Sequence, residues 1–385
     1  MTYIHVQDES AARALAEELA ELSRFALDLE AAGFHRYTDR FCLVQISTPS
    51  DTYIVDPMEV DCDALLRGPL EDRSVEKVMH GSDYDLRLLD RDLDIRLKGL
   101  FDTQIAAQML GVDSIGLAAL LESRLGVTLS KKYQRADWAK RPLPDDMLEY
   151  AASDTRYLLE LADQMLEELR EAGRVAWAEE EARALEEHAT GNEDGEKEDP
   201  VTRVKGAQKL SPRRVTALRE ALDWRDGLAQ ARDRAPFRVV NKNALLEAVM
   251  EEPRDAHALA DVKGFPKGLA HHEGEELLRR LDRVAALDDG ELEPYPEPDR
   301  SGRGRPPPEV EEMTGHLKDV RNRTAGELGM DRGTLMSNAV LEEIAWADPG
   351  DLAALRRVDG VRDWTVEVMG EGLLETLLEK GAVRG

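Results

Sequence analysis

At 385 residues, 42% of them hydrophobic and 34% charged, the chain has enough apolar mass for packed cores and more length than one core usually organises; a single small domain and a chain disordered throughout are both excluded. No stretch approaches the ~20 apolar residues of a membrane span, and Met1 to Ala20 alternates charged and small residues where a signal peptide would carry an apolar run. The 79 Asp and Glu against 51 Lys and Arg leave a net charge of −28, which excludes passive attraction to a polyanion: any phosphate-binding site must invert the field locally, through divalent cations or clustered arginine.

Two cysteines, Cys42 and Cys62, are too few for a disulfide scaffold and lack the spacing of a zinc site, so a soluble protein of a reducing cytoplasm is expected, with no membrane partner. In chain order, Phe25–Glu30, Phe41–Ile46, Thr52–Asp56 and Lys77–His80 read as short strands separated by polar turns. Helical periodicity follows at Tyr84–Asp90, Ile105–Leu110, Leu117–Leu125 and, as one long helix, from Asp145 to about Ala172. Strands in a meander followed by strand and helix predict a layered α/β domain over residues 1–178. Residues 179–208 begin as a helix tail and end in Gly, Asn, acid and Pro, reading as an acidic linker; residues 288–308 are rich in Pro and Gly and read as a second linker. Between and after them lie two helical blocks, 209–287 and 309–385.

The two blocks are copies of each other. A shift of 96 positions lays Leu245 on Leu341, Pro253 on Pro349, Leu259 on Leu355, Val262 on Val358, Gly264 on Gly360 and Gly274 on Gly370, without a gap. Each reads as amphipathic helices joined by a tight glycine turn, whose amides either meet a phosphate or simply cap helices.

Asp28 and Glu30 share one face of a strand expected to be central, because side chains alternate with period two. Asp85 follows the fourth strand at the start of a helix. Tyr150 and Asp154, four apart, stack on one side of the long helix. Carboxylates gathered in one place raise one another's pKa, a cost that divalent cations relieve; hard oxygen ligands suit Mg²⁺ or Mn²⁺. Two such ions can activate water and stabilise the leaving oxygen in phosphodiester hydrolysis.

The set LDLE at Asp28 and Glu30, HGSDYDLRLL at Asp85 and YAASDTRYLL at Tyr150 and Asp154 resembles, in order and spacing, the three exonuclease motifs of the DEDD superfamily in its tyrosine-bearing branch. The stretches FDTQIAAQML and KKYQRADWAKRPL resemble ribonuclease D, and the two helical blocks resemble the HRDC domain found in tandem there. The resemblance implies an RNase H-like α/β exonuclease domain with a mixed sheet, followed by two small all-α HRDC-like domains. It implies a metal-dependent 3′→5′ exoribonuclease releasing nucleoside 5′-monophosphates, acting as a monomer on RNA, with transfer-RNA precursors and other small structured RNAs carrying 3′ extensions as substrates. By the same resemblance, Asp28, Glu30 and Asp154 would hold the cation that activates water, Asp28 would also reach a second ion near Asp85, and Tyr150 would orient the attacking water. The histidine-bearing branch is disfavoured because the position five before the last aspartate is Glu149. A DNA exonuclease and a non-catalytic nucleic-acid-binding protein are the alternatives.

The densest basic patch of the first block, Lys131 to Arg141, offers Lys132, Gln134, Arg135, Trp138 and Arg141 as substrate contacts, phosphates held by the cations and a base stacked on an aromatic. The competing reading is a solvated loop in which Trp138 plugs the core. Asp102 serves either as a fifth metal-site acid or as a helix cap, Gln45 touches substrate or bonds within the sheet, and His80 is a satisfied histidine or a proton shuttle. The arginines from Arg213 to Arg238 either track an RNA backbone or form ordinary helix surface. The second helical copy, with fewer basic residues, is expected to bind more weakly and to matter for positioning or for contact with the catalytic block.

Overall fold

The computed structural model describes residues 3–189, 199–296 and 304–381. Six strands, β1 (Ile4–Val6), β2 (Arg24–Ala31), β3 (Phe41–Ser47), β4 (Thr52–Val55), β5 (Glu76–Met79) and β6 (Leu100–Asp102), form one mixed sheet in the order β1-β4-β3-β2-β5-β6. β2, β3 and β4 are antiparallel neighbours, whereas β1 joins β4, β5 joins β2, and β6 joins β5, in parallel. β2 therefore lies inside the sheet, as expected of the strand carrying Asp28 and Glu30.

The two faces of β2 are chemically distinct. Phe25, Leu27 and Leu29 enter an apolar core with Leu15 and Leu19 of α1 (Glu9–Glu21) and Leu65, Leu66 and Leu70 of α2 (Cys62–Glu71). The opposite face is covered by α6 (Asp145–Arg156). Between lie α3 (Asp83–Leu93), α4 (Thr103–Met109) and α5 (Leu117–Leu125); α7 (Leu158–Glu171) and α8 (Val175–His188) follow. The strands β1 and β6, of three residues each, and the helices α1 and α2, whose apolar residues do recur at helical spacing (Leu15 and Leu19; Leu65, Leu66 and Leu70), are additions to the elements read from the sequence.

The long helix expected from Asp145 to Ala172 is two helices. The backbone departs from helical geometry at Tyr157 (φ −109°, ψ 2°), without Gly or Pro. α6 packs on β2, β3 and β4, and α7 packs on β5, α4 and α5. A straight rod of about 40 Å cannot follow both halves of a sheet whose strands rotate by roughly 20° each, so the helix bends where its support changes.

The first helical module comprises α9 (Pro212–Ala231), α10 (Pro236–Val239), α11 (Lys242–Glu251), α12 (Ala256–Asp261) and α13 (Lys267–Ala285); the second comprises α14 (Pro308–Leu328), α15 (Arg332–Leu335), α16 (Asn338–Ala347), α17 (Leu352–Leu355) and α18 (Asp363–Gly381). The 96-residue shift maps the first helices, α10, α11 and α13 onto their counterparts start to start. It also reproduces the caps: Asp255 and Asp351 both accept from the backbone N–H three residues on, and Glu252 and Asp348 both close a helix in the left-handed region. Gly264 (φ +80°) and Gly360 (φ +77°) hold the turn before the last helix, a conformation that side chains with a Cβ resist.

The acidic stretch from 179 begins inside α8, which runs to His188, and its acids are in use. Glu180 accepts from the backbone N–H of Asp363 (2.6 Å) and Trp364 (3.0 Å), capping the positive end of α18. Glu181 accepts from the Trp364 indole N–H at 2.7 Å, and Trp364 stacks on Trp177 with centroids 4.9 Å apart. The second module thus docks on the nuclease domain, as anticipated. At the other end of that stretch, Val201, Val204 and Ala207 are buried in the first module's core, and in the second linker Glu293 and Pro294 accept from Arg219. Residues 190–198 and 297–303 of the two linkers lie outside the described residues.

Candidate active site

The sheet and α6 deliver the acids to one place. Alternation along β2 turns Asp28 and Glu30 to the face covered by α6, and Asp154, on the last turn of that helix, points back at them. One carboxylate oxygen from each of Asp28, Glu30 and Asp154 lies within 4.8 Å of the other two. Asp85, buried in the first turn of α3, completes the group: its charge is felt at Glu30, and that of Asp28 is felt at Asp85. Three of the four acids thus come within ligand distance of one another, and Asp85 lies near enough for their charges to be felt.

Their electrostatics are those of a site built for cations. Burial raises Asp28 to about 7 and, with the repulsion of Asp28, raises Asp154 to about 8. Burial first, and then the neighbouring acids, push Glu30 and Asp85 well above the ordinary carboxylate range. Each of these shifts has the sign that bound positive charge reverses. An all-oxygen, half-buried donor set without a paired Lys or Arg among the described residues fits hard divalent cations.

Tyr150, one turn before Asp154 on α6, is buried. Its ring meets Tyr133 edge-on at 5.8 Å and lies at 31° to the Trp138 ring, 6.1 Å away. Burial and then Asp154, Glu30 and Asp28 raise its hydroxyl above its usual value, so Tyr150 stays protonated and can donate or accept. Asp28, Tyr150 and Asp154 line a cavity of about 430 Å³ with His80, Lys131, Gln134 and residues 116–119. Gly116 is the N-cap of α5, so the positive end of that helix opens into the cavity. The sequence signalled α5, but not that its first turn would face the acids. A neighbouring cavity of about 390 Å³ shares Leu129, Ser130 and Tyr150 and holds Lys132, ion-paired to Asp146 at 2.8 Å.

The basic patch divides. Gln134 faces the acidic cavity and Lys132 its neighbour. Arg135 lies on the exposed surface over the Phe34 ring, at 5.8 Å from its centroid. Neither Trp138 nor Arg141 lines either cavity. Trp138 is 2% exposed and packs behind Tyr150. Arg141 spends its guanidinium on Asp56 (2.6 and 2.9 Å) and on the carbonyls of Cys42 (2.8 Å), Trp138 (2.6 Å) and Lys140 (3.0 Å), which accounts for its five N–H donors. A sequence pattern rich in cations does not reveal that a buried aspartate 85 positions upstream will claim one of them.

Asp102 is the N-cap of α4 and is not among the acids that converge. It accepts from the backbone N–H of Gln104 (2.7 Å) and Ile105 (3.3 Å) at the start of α4, and also from Gly81 N–H (3.0 Å), Ser82 N–H (2.8 Å) and the Ser82 hydroxyl (2.8 Å). It thereby ties down the turn that launches α3 and Asp85. His80 Nδ1 lies 2.9 Å from the Thr103 hydroxyl, and burial lowers its pKa. Gln45 stands opposite Asp28 on β3, fully buried, and neither of its amide atoms has a partner among the described residues, so the bond within the sheet is not formed. Most of the arginine run serves the fold: Arg213 donates to the Val284, Ala285 and Leu287 carbonyls, and Arg214, Arg219 and Arg232 pair with Glu252, Asp199 and Glu273.

Comparison with known proteins agrees with this geometry. Residues 3–170 match the 3′-5′ exonuclease family, and residues 215–281 and 311–377 each match the HRDC domain. The chain is similar to ribonuclease D of Sphingobium indicum, 30% identical over 309 residues covering 79% of each protein. It is also similar to exosome complex component 10 of Rattus norvegicus, 33% identical over 253 residues covering 64% of this chain; it spans only 28% of that longer relative. The fold matches the crystal structure of Escherichia coli RNase D with a TM-score of 0.68 at 24% identity, covering 98% of this chain and 99% of the other. The acidic cluster on an exonuclease sheet, the tandem HRDC modules and a ribonuclease D relative 30% identical over 79% of each protein place the chain in the ribonuclease D family.

Proposed function

We infer that the protein is a metal-dependent 3′→5′ exoribonuclease that hydrolyses RNA from its 3′ end and releases nucleoside 5′-monophosphates. Its substrates are structured RNAs with 3′ extensions, transfer-RNA precursors among them. The observation that carries this reading is the approach of Asp28, Glu30 and Asp154 oxygens to within 4.8 Å beside Tyr150, in a chain of the ribonuclease D family.

Asp28, Glu30, Asp85 and Asp154 are the residues that would hold two Mg²⁺ or Mn²⁺ ions. Such ions supply the positive charge that makes water nucleophilic near neutral pH and stabilises an oxygen leaving phosphorus. The protein's own groups do the rest. The Tyr150 hydroxyl, protonated and fixed by the Tyr133 and Trp138 rings, orients the attacking water on the side of Asp154. The water oxygen bonds to phosphorus as the bond to the 3′ oxygen of the penultimate nucleotide breaks; a proton leaves the water, and the departing 3′ oxygen gains one. The N-terminus of α5, Lys131 and Gln134 line the cavity where the terminal phosphate and sugar would lie.

The deciding experiment is a time course on a 3′-tailed transfer-RNA-like substrate with Mg²⁺, Mn²⁺ or chelator, alongside the DNA counterpart. Nucleoside 5′-phosphates released one by one from the RNA, only with metal, are expected. Release from DNA alone, or none with either ion, refutes the reading.

A further inference from the structure

The duplication that built the two helical modules is kept in the backbone, while many side chains differ, and two of the differences concern aromatic contacts with the nuclease domain. Phe237 and Arg238 lie on α10 of the first module; 96 residues on, α15 of the second carries Gly333 and Thr334 in the same helical positions. The converse holds at α13 and α18, where Gly268 corresponds to Trp364, the residue that docks the second module on α8. The copies have thus been specialised, the second carrying an aromatic that is buried and the first one that is not.

Phe237 is 48% exposed although it sits at a domain contact, and the ring it meets, Phe34 from the loop after β2, is 39% exposed. Their centroids are 5.5 Å apart at 56°. Two cations flank the pair: Arg238 lies 4.7 Å from the Phe34 centroid and 5.9 Å from that of Phe237, and Arg135 lies 5.8 Å from Phe34. The assembly is held firmly, by Arg238 Nε donating to the Phe34 carbonyl (2.7 Å) and by the Ala235 N–H donating to the His35 carbonyl (3.0 Å). Two acids of the same region, Asp137 and Asp233, share the guanidinium of Arg36, so these three groups carry one negative charge against the two positive charges of Arg135 and Arg238. In a chain of net charge −28, a rigid pair of exposed rings edged by guanidinium groups is a local inversion of the field.

Exposed aromatic faces beside arginine match the requirements of unpaired nucleotides: bases stack on the rings, and phosphates meet the cations. The position fits as well. Gln134 lines the cavity of Asp28, Tyr150 and Asp154, and its chain neighbour Arg135 covers Phe34, so the cavity and the rings flank the same stretch of backbone.

We propose that Phe237 and Arg238 of the first helical module, with Phe34 and Arg135 of the nuclease domain, form a subsite that stacks an unpaired base of the RNA strand upstream of the scissile bond. This rests on the nuclease reading above and adds to it that the first module, and not the second, completes the RNA path.

The test uses the full chain and a 12-nucleotide single-stranded RNA carrying 2-aminopurine at successive positions from the 3′ end, titrated in Ca²⁺ with RNA integrity checked on gels. The wild-type protein is expected to quench the probe at one defined internal position. Phe237→Ala should abolish that quench and weaken binding about tenfold, the order of one lost base–aromatic stack, while Phe237→Tyr retains both. A Phe237→Ala protein with wild-type affinity and quench profile overturns the subsite. So does a loss of affinity with the quench intact, the outcome expected if the rings only fasten the two domains. The nuclease reading is judged separately: failure of wild-type protein with Mg²⁺ to release nucleoside monophosphates overturns that reading whatever the probe reports.

Discussion

The Trp138 ring backs that of Tyr150 at a centroid distance of 6.1 Å, so the residue offered by sequence as a stacking surface for RNA instead fixes the hydroxyl beside the four acids. Tyr150→Phe keeps this packing and removes only the hydroxyl. The expected result is a fall in kcat of about 10²-fold with little change in KM, the signature of an interaction made mainly in the transition state. Steady-state kinetics on a 3′-tailed RNA check it; an unchanged kcat would remove Tyr150 from the mechanism.

The acids also set a pH dependence. Asp154 rises from 3.8 to about 8 in the folded protein, so the folded state binds the proton more tightly than the unfolded one. Its contribution to stability is present below pH 4 and is lost as pH rises towards 8. Metal-free Asp154→Asn should therefore exceed wild type in thermal midpoint at pH 8 by more than at pH 5, while losing activity. Divalent cation should raise the midpoint of wild type at pH 8 and that of the variant less. Differential scanning fluorimetry with and without Mn²⁺ at both pH values measures all of these.

Arg141 and Asp56 form a largely buried pair, and removing one partner leaves the other charge stranded. Arg141→Ala is expected to destabilise the protein by about 3 kcal/mol in urea unfolding. Affinity of the remaining folded protein for RNA should be that of wild type, because no donor of Arg141 is left over for a phosphate. An RNA-binding defect without a stability defect would restore the sequence-based role.

Asp102 holds the turn ahead of Asp85 and starts α4. Asp102→Ala removes a helix cap, costing about 1 kcal/mol, and frees the Gly81–Ser82 turn. We expect a lower kcat and weaker Mn²⁺ binding by calorimetry, since Asp85 loses its fixed position. Retained metal affinity with lowered stability would show a cap and nothing more.

Trp364 fastens the second module to α8. Trp364→Ala should cost about 3 kcal/mol and open the chain between the modules to proteolysis, while leaving the nuclease domain's own fold intact. Limited trypsin digestion followed by mass spectrometry reads this directly.

Much of this protein was legible in its residues before any coordinates. The strand carrying Asp28 and Glu30, the pairing of Tyr150 with Asp154 and the 96-residue duplication are periodic signals, and period is what local backbone geometry imposes on sequence. Separations of two and four residues already commit side chains to a shared face of a strand or helix. What those signals leave open is every relationship between elements. The bend at Tyr157, the opening of α5 into the acidic cavity, the claim of Asp56 on Arg141 and of Glu180 on the start of α18 join residues far apart in the chain, and follow from sheet twist and from the competition of buried charges for partners. The sequence by itself determined which acids share a face and that two modules are copies; only the tertiary structure decided which cations remain for substrate, because a charge is spent on whichever partner the fold brings within reach, and local pattern holds no record of that encounter.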